Sequence, residues 1–115
     1  MSFDDLLKGL QADYLSSLPE KIKTIDAQVQ ARQAADVRES FHKLKGTGKT
    51  YGFPEVSELA EIVENICIRN LETGLAAATL ALPVLADIHA QRRQNASFSL
   101  NGNERVERLR KLLPS

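Results

Sequence analysis

Between Val37 and Pro54 the chain carries a pattern that few folds satisfy. Val37, Phe41, Leu44, Gly48 and Tyr51 recur at spacings of three and four, the period of a helix that buries one face. Gly52 follows, a residue that takes positive φ at a helix end, and Pro54 suits the first position of a new helix. The pattern predicts a central helix from about Ala34 to Tyr51 and a third helix from Pro54 to about Asn70. Two helices joined by so short a turn pack antiparallel. The third helix offers Val56, Leu59, Val63 and Ile66 to the core.

The flanking sequence is helical as well. Ser2 is a candidate N-cap for a first helix from Phe3 to about Leu18, with Asp4 and Asp5 at its positive end. Phe3, Leu6, Leu7, Leu10, Tyr14 and Leu18 form its apolar side. Pro19 either kinks this helix or opens a second one, and Ile22, Ile25 and Val29 carry the period on to about Gln30. Gln30 to Asp36 is a connection or a solvated face. Gly74 is expected to break the chain before a fourth helix, Leu75 to Asn95, with Leu80, Val84, Leu85 and Ile88 inward and a kink at Pro83. Ser97 to Gly102 reads as a turn. A short fifth helix from Glu104 to Leu113 presents Val106, Leu109 and either Leu112 or Leu113. No period-two run lasts long enough for a strand. The expected fold is all-α: an antiparallel up-down four-helix bundle with a short C-terminal helix, in one domain over residues 1–115.

Composition narrows the function. The net charge is zero, against the basic excess of a general nucleic-acid binder. A single cysteine, Cys67, excludes an internal disulfide and fits a reducing compartment. The acidic N-terminus has no signal-peptide features, and no apolar run approaches the ~20 residues of a membrane span. A cytoplasmic protein is expected.

Beside the apolar stripe of the central helix runs a second one, facing outward: Arg38, His42, Lys45, Gly46 and Lys49. Imidazole is a good nucleophile near neutral pH. To attack phosphorus it must be accessible and neutral at one nitrogen. A carboxylate accepting from Nδ1–H sets that tautomer and leaves the Nε2 lone pair outward. Lys45 is placed to stabilise charge on phosphoryl oxygens. Gly46 leaves room for another protein's active site, and Arg38 and Lys49 would attract an acidic pocket. Glu64, at the edge of the third helix's apolar arc, is the preferred carboxylate; Glu61 falls nearly opposite the core.

His42-Lys43-Leu44-Lys45-Gly46 resembles the H-x-[hydrophobic]-K-G motif of histidine-containing phosphotransfer domains in bacterial two-component relays. Thr50-Tyr51-Gly52-Phe53 and Val63-Glu64-Asn65 resemble segments of the phosphotransfer domain of chemotaxis histidine kinases. The strong likeness covers about Val37 to Ile66. Lys49 stands where small residues are more usual. The resemblance implies a phosphoryl carrier that takes phosphate at Nε2 of His42, with Glu64 hydrogen-bonded to that histidine. It implies exchange with a receiver-domain aspartate or a sensor histidine kinase, and no nucleotide site of its own. No cofactor is expected in this chain; Mg²⁺ would sit on the receiver, because no acidic cluster flanks His42.

Plainer readings cover the remaining residues. His89 is read as structural, Cys67 as a small core residue, Gly48 as a close-packing site, and Tyr51 as core with its hydroxyl at the rim. The Arg92-Arg93 pair and the charges from Arg105 to Lys111 are read as solvated faces. His42, His89 and Cys67 are too scattered for a metal site. The alternative function is a helical interaction module that docks a receiver or another signalling protein without phosphorylation.

Overall fold

The computed structural model describes residues 2–113, and among them every regular element is helical. Ser2 starts helix α1 (Phe3–Gln30): its Oγ accepts from the Asp5 N–H at 3.1 Å, one of the donors a helix start leaves unpaired. The helix passes through Pro19 without a break. Pro19 faces solvent, while Tyr14, Leu18 and Ile25 on the other side are buried, so packing on both sides of the proline holds the missing backbone bond open. The stretch after Gln30 is a tight turn in which Arg32 takes φ 57°.

Helix α2 (Ala34–Thr50) returns along α1, as the bonds Ser40–Gln28 and Thr47–Tyr14 show: one residue number rises as the other falls. Gly52, at φ 88°, turns the chain into α3 (Pro54–Arg69), with Pro54 in the first turn. Phe53 N–H donates to Gly48 O at 2.7 Å and closes the end of α2. Helix α4 (Leu71–Arg93) runs back across the bundle and packs on α1, α2 and α3. Helix α5 (Glu104–Leu112) lies against α3 and α4, sealed by Val106, Leu109 and the loop residue Leu100. The result is the expected antiparallel bundle with a short fifth helix. Its core holds Val37, Phe41, Leu44, Leu59, Val63 and Ile66, each fully or almost fully buried. Such side chains contribute about 1.5–3 kcal/mol each on burial.

Several expectations need correction. Phe3, Leu6 and Leu10 are 76%, 51% and 41% exposed rather than core. With 28 residues against 17 in α2, helix α1 overhangs its partner. Gly74 does not break the chain. The break is at Asn70, whose backbone is extended and whose Oδ1 accepts from Thr73 N–H at 3.0 Å as the α4 cap. Gly74 is instead buried in the first turns of α4, against Cys67. In α4 the core positions include Ala77, Ala78 and Ala81, and Leu80 is only partly buried. That helix is also long and apolar enough to cross a membrane by composition. Half of its apolar window is buried in the bundle, because α4 touches all four other helices. It continues through Pro83 as it stands opposite Pro19 across a surface cleft. Leu113, not Leu112, is the leucine packed on the core at the end of α5.

The two kinds of glycine respond oppositely to a methyl group. A Cβ at Gly74 would lie 2.5 Å from Cys67 Sγ and 2.9 Å from Cys67 Cα, whereas one at Gly46 meets nothing within 4 Å. Gly74→Ala should therefore lower stability by about 1–3 kcal/mol through overpacking. Gly46→Ala should raise it by up to about 1 kcal/mol through helix propensity. Urea unfolding of the two variants beside the parent chain reads both signs.

Candidate functional site

Adjacent positions of α2 divide sharply between core and solvent. Phe41 is fully buried, while the side chain of the next residue, His42, is 59% exposed. Arg38, Gly46 and Lys49 are exposed on the same outward side, and Lys45 is partly buried. This follows from the helical period, which turns each residue about 100° from the last.

Glu64 meets this stripe from α3. It follows Val63 at the margin of the α3 core face and is only 4% exposed. Oε2 is bonded to Nδ1 of His42, and Oε1 accepts from Nζ of Lys45. An ionised carboxylate only accepts, so Nδ1 carries the proton. The Nε2 lone pair then points away from Glu64, on the free edge of an exposed ring. Burial alone would raise the Glu64 carboxyl, but the hydrogen bonds from Lys45 and His42, with their charges, outweigh it and hold the group below its ordinary value. The bonds are charge-assisted, the strong kind.

The structure thus gathers His42, Lys45 and Glu64 into one cluster. Lys45, read from the sequence as a counter-charge for incoming phosphoryl oxygens, has its ammonium bonded to Glu64. Arg38, Gly46 and Lys49 lie on the rim and make no part of the cluster. Glu61 is exposed. Lys45 and Lys49 line a shallow cleft of about 400 Å³ with Pro54, Ser57, Glu58 and Glu61. Burial pushes the Cys67 thiol up to about 11, against the opposing charge of Arg38, so this sulfur stays protonated and is a poor nucleophile. Burial, then the charge of Arg93, lowers the pKa of His89. Among the described residues no three His, Cys, Asp or Glu side chains group as metal ligands.

Compared with known protein families, residues 9–95 match the one described as the Hpt domain. This chain is a member of the Hpt domain family. Searches of curated proteins and of solved structures returned no match. As an Hpt domain it has a histidine phosphotransfer role in a phosphorelay. The matched segment takes in α1 from Gly9 and all of α2, α3 and α4; the first turns of α1 and the whole of α5 lie outside it.

Two residues that shape the Hpt site escape the sequence reading. Arg92 is not on a solvated face. Its Nη2 donates to Glu55 Oε1 and to Gly52 O, both at 2.8 Å, and its guanidinium lies 4.5 Å from the Phe53 ring centre. It fastens the end of α4 to the α2–α3 turn. Arg92 in a last turn and Glu55 in a first turn each have a helix-dipole explanation, so the sequence offers no reason to pair them. Ser57 is the other: its hydroxyl bonds to the backbone of α2 at Lys45 and Lys49. Its one sequence signal is a spacing of seven from Glu64, which puts both on one face of α3.

The depressed carboxyl gives a pH dependence with a definite sign. A group whose pKa is lowered on folding stabilises the fold above its unfolded value, about 4.3 for Glu, and loses that contribution as pH falls through the folded value. Urea midpoints should therefore drop on acidification below about pH 5. Glu64→Gln should lower stability at pH 7 and flatten that acid limb. An acid limb of unchanged slope in Glu64→Gln would remove Glu64 as its source.

Proposed function

We propose that this domain carries a phosphoryl group on Nε2 of His42 and exchanges it with the aspartate of a response-regulator receiver domain. The observation that carries the reading is the His42 ring, exposed at one edge and held at Nδ1 by a buried carboxylate. In the forward step the Nε2 lone pair attacks phosphorus. An N–P bond forms as the P–O bond to the receiver aspartate breaks, and the carboxylate leaves with the electron pair. The ring becomes a phosphorylated imidazolium, whose Nδ1 proton stays on the bond to Glu64. Return of the group to a receiver reverses each change.

The protein's part is positioning and charge. Glu64 sets the tautomer and steadies the positive ring. Lys45 restrains the second Glu64 oxygen and sets a positive charge beside the incoming phosphoryl group. Gly46 costs α2 about 1 kcal/mol relative to alanine and has no internal packing reason. Clearance for a partner accounts for it. Arg38 and Lys49 flank that clearance and suit a receiver's acidic pocket, where Mg²⁺ is assigned. A sensor histidine kinase, or a receiver fed by one, is the proposed donor.

The purified domain with ATP alone should gain no phosphate. With a phosphorylated receiver and Mg²⁺ it should gain label that is acid-labile and alkali-stable, and His42→Gln should gain none. Label persisting in His42→Gln would sink the assignment. Receiver binding without any label would favour a docking module instead.

The clearance argument has its own test. Gly46→Leu should keep the helical content of the parent and melt no lower than it, since nothing lies within 4 Å of the new Cβ. Its receiver affinity should fall by roughly tenfold or more, about 1.4 kcal/mol. Titration calorimetry with an unphosphorylated receiver measures this, and unchanged affinity would discard the steric role.

A further inference from the structure

The Ser57 hydroxyl bonds two backbone groups of a neighbouring helix. It accepts from the Lys49 N–H at 2.6 Å and donates to the Lys45 carbonyl at 2.7 Å. In a regular α-helix those two backbone groups, four residues apart, bond each other. Ser57 Oγ reaches both of them from α3. So close an approach needs a residue without a side chain on α2. Gly48 supplies it: a Cβ there would lie 2.7 Å from Ser57 Oγ, 2.9 Å from Ser57 N and 3.0 Å from Phe53 O.

Ser57 and Glu64 are two turns apart on one face of α3, about 10.5 Å along the axis. Both reach across to α2. Glu64 holds the side chains of His42 and Lys45; Ser57 holds the peptide groups of Lys45 and Lys49. Lys45 is therefore gripped twice, by its ammonium and by its carbonyl. The apolar contacts between the helices, with Phe41 and Leu44 on one side and Val56, Leu59 and Val63 on the other, are non-directional and tolerate small slides. Directional bonds at two separated points do not, since they set both the slide and the rotation of α2 on α3.

We infer that Ser57 is a positioning residue for His42: its hydroxyl, seated in the gap over Gly48, sets the register that lets Glu64 hold Nδ1. The role rests on the phosphotransfer reading of His42, which Ser57 itself does not touch. In Ser57→Ala the Lys45 carbonyl and Lys49 N–H keep the partners their own helix offers, so the fold is retained while α2 is free to shift on α3 and the imidazole leaves its seat.

Imidazole nitrogen NMR of the unphosphorylated chain is the direct readout, because it reports which ring nitrogen carries the proton. The parent should show Nδ1 protonated. Ser57→Ala should melt close to the parent and show a mixed or Nε2-protonated ring. Its label uptake from a phosphorylated receiver should fall roughly threefold to tenfold, the scale of a small misplacement. Ser57→Thr keeps the hydroxyl and should retain the parent spectrum. A parent-like spectrum in Ser57→Ala overturns the inference, as do equal spectral changes in the alanine and threonine variants. The spectrum needs no phosphoryl donor. Failure of the parent to accept label would count against the phosphotransfer reading, and the spectra would still decide the role of Ser57.

Discussion

Glu64 is a carboxylate placed where a carboxylate is expensive. Removing an ion of this size from water costs several kcal/mol even after relaxation. At 4% exposure the group stays ionised only because Lys45 and His42 converge on its two oxygens from α2. Breaking such an arrangement by removing one partner leaves an uncompensated buried charge, at a cost of about 3–5 kcal/mol in comparable cases. The helix pair α2–α3 is therefore held to one geometry by electrostatics as well as by packing, and that geometry is the one that turns Nε2 outward.

The rest of the molecule protects this pairing. The α2–α3 turn is closed by the Phe53 N–H on Gly48 O and by the positive φ of Gly52. Three helices then lean on it. Tyr14 of α1 stacks at 5.2 Å on Tyr51 and lies tilted at 5.4 Å from Phe53, and its hydroxyl bonds Thr47 at 3.0 Å. Arg92 of α4 covers Phe53 and grips Gly52 O and Glu55. Glu58 of α3 pairs with Arg110 of α5 at 3.1 Å, which ties the short helix to the same end.

Much of the site was legible from spacing alone. The offset between the Phe41 stripe and the His42 stripe follows from 100° per residue and survives in the structure without change. Spacing puts Glu64 at the boundary of the apolar arc, and the structure buries it almost completely and bonds it to His42 and Lys45. The errors share a cause. Gly74, Phe3, Leu6, Leu10 and Arg92 read one way from local pattern, and in each the outcome turns on a neighbouring helix. A glycine serves equally as a breaker or as a gap, and only Cys67 lying under Gly74 separates the two. An apolar stripe is buried only as far as a partner helix extends, and α2 ends before α1 begins.

What the chain determined by itself is what acts within a few residues: helical period, the Ser2 and Asn70 caps, the Gly52-Phe53-Pro54 turn, and the motif His42 to Gly46. Those are set by backbone sterics and by hydrogen bonds of short sequence separation. Tertiary structure alone decided that Lys45 would place its charge on Glu64, that Arg92 would reach back 40 residues to Gly52, and that the Ser57 hydroxyl would bond the backbone of α2. Each joins groups far apart in the chain, and their approach depends on distances and orientations that no local preference encodes.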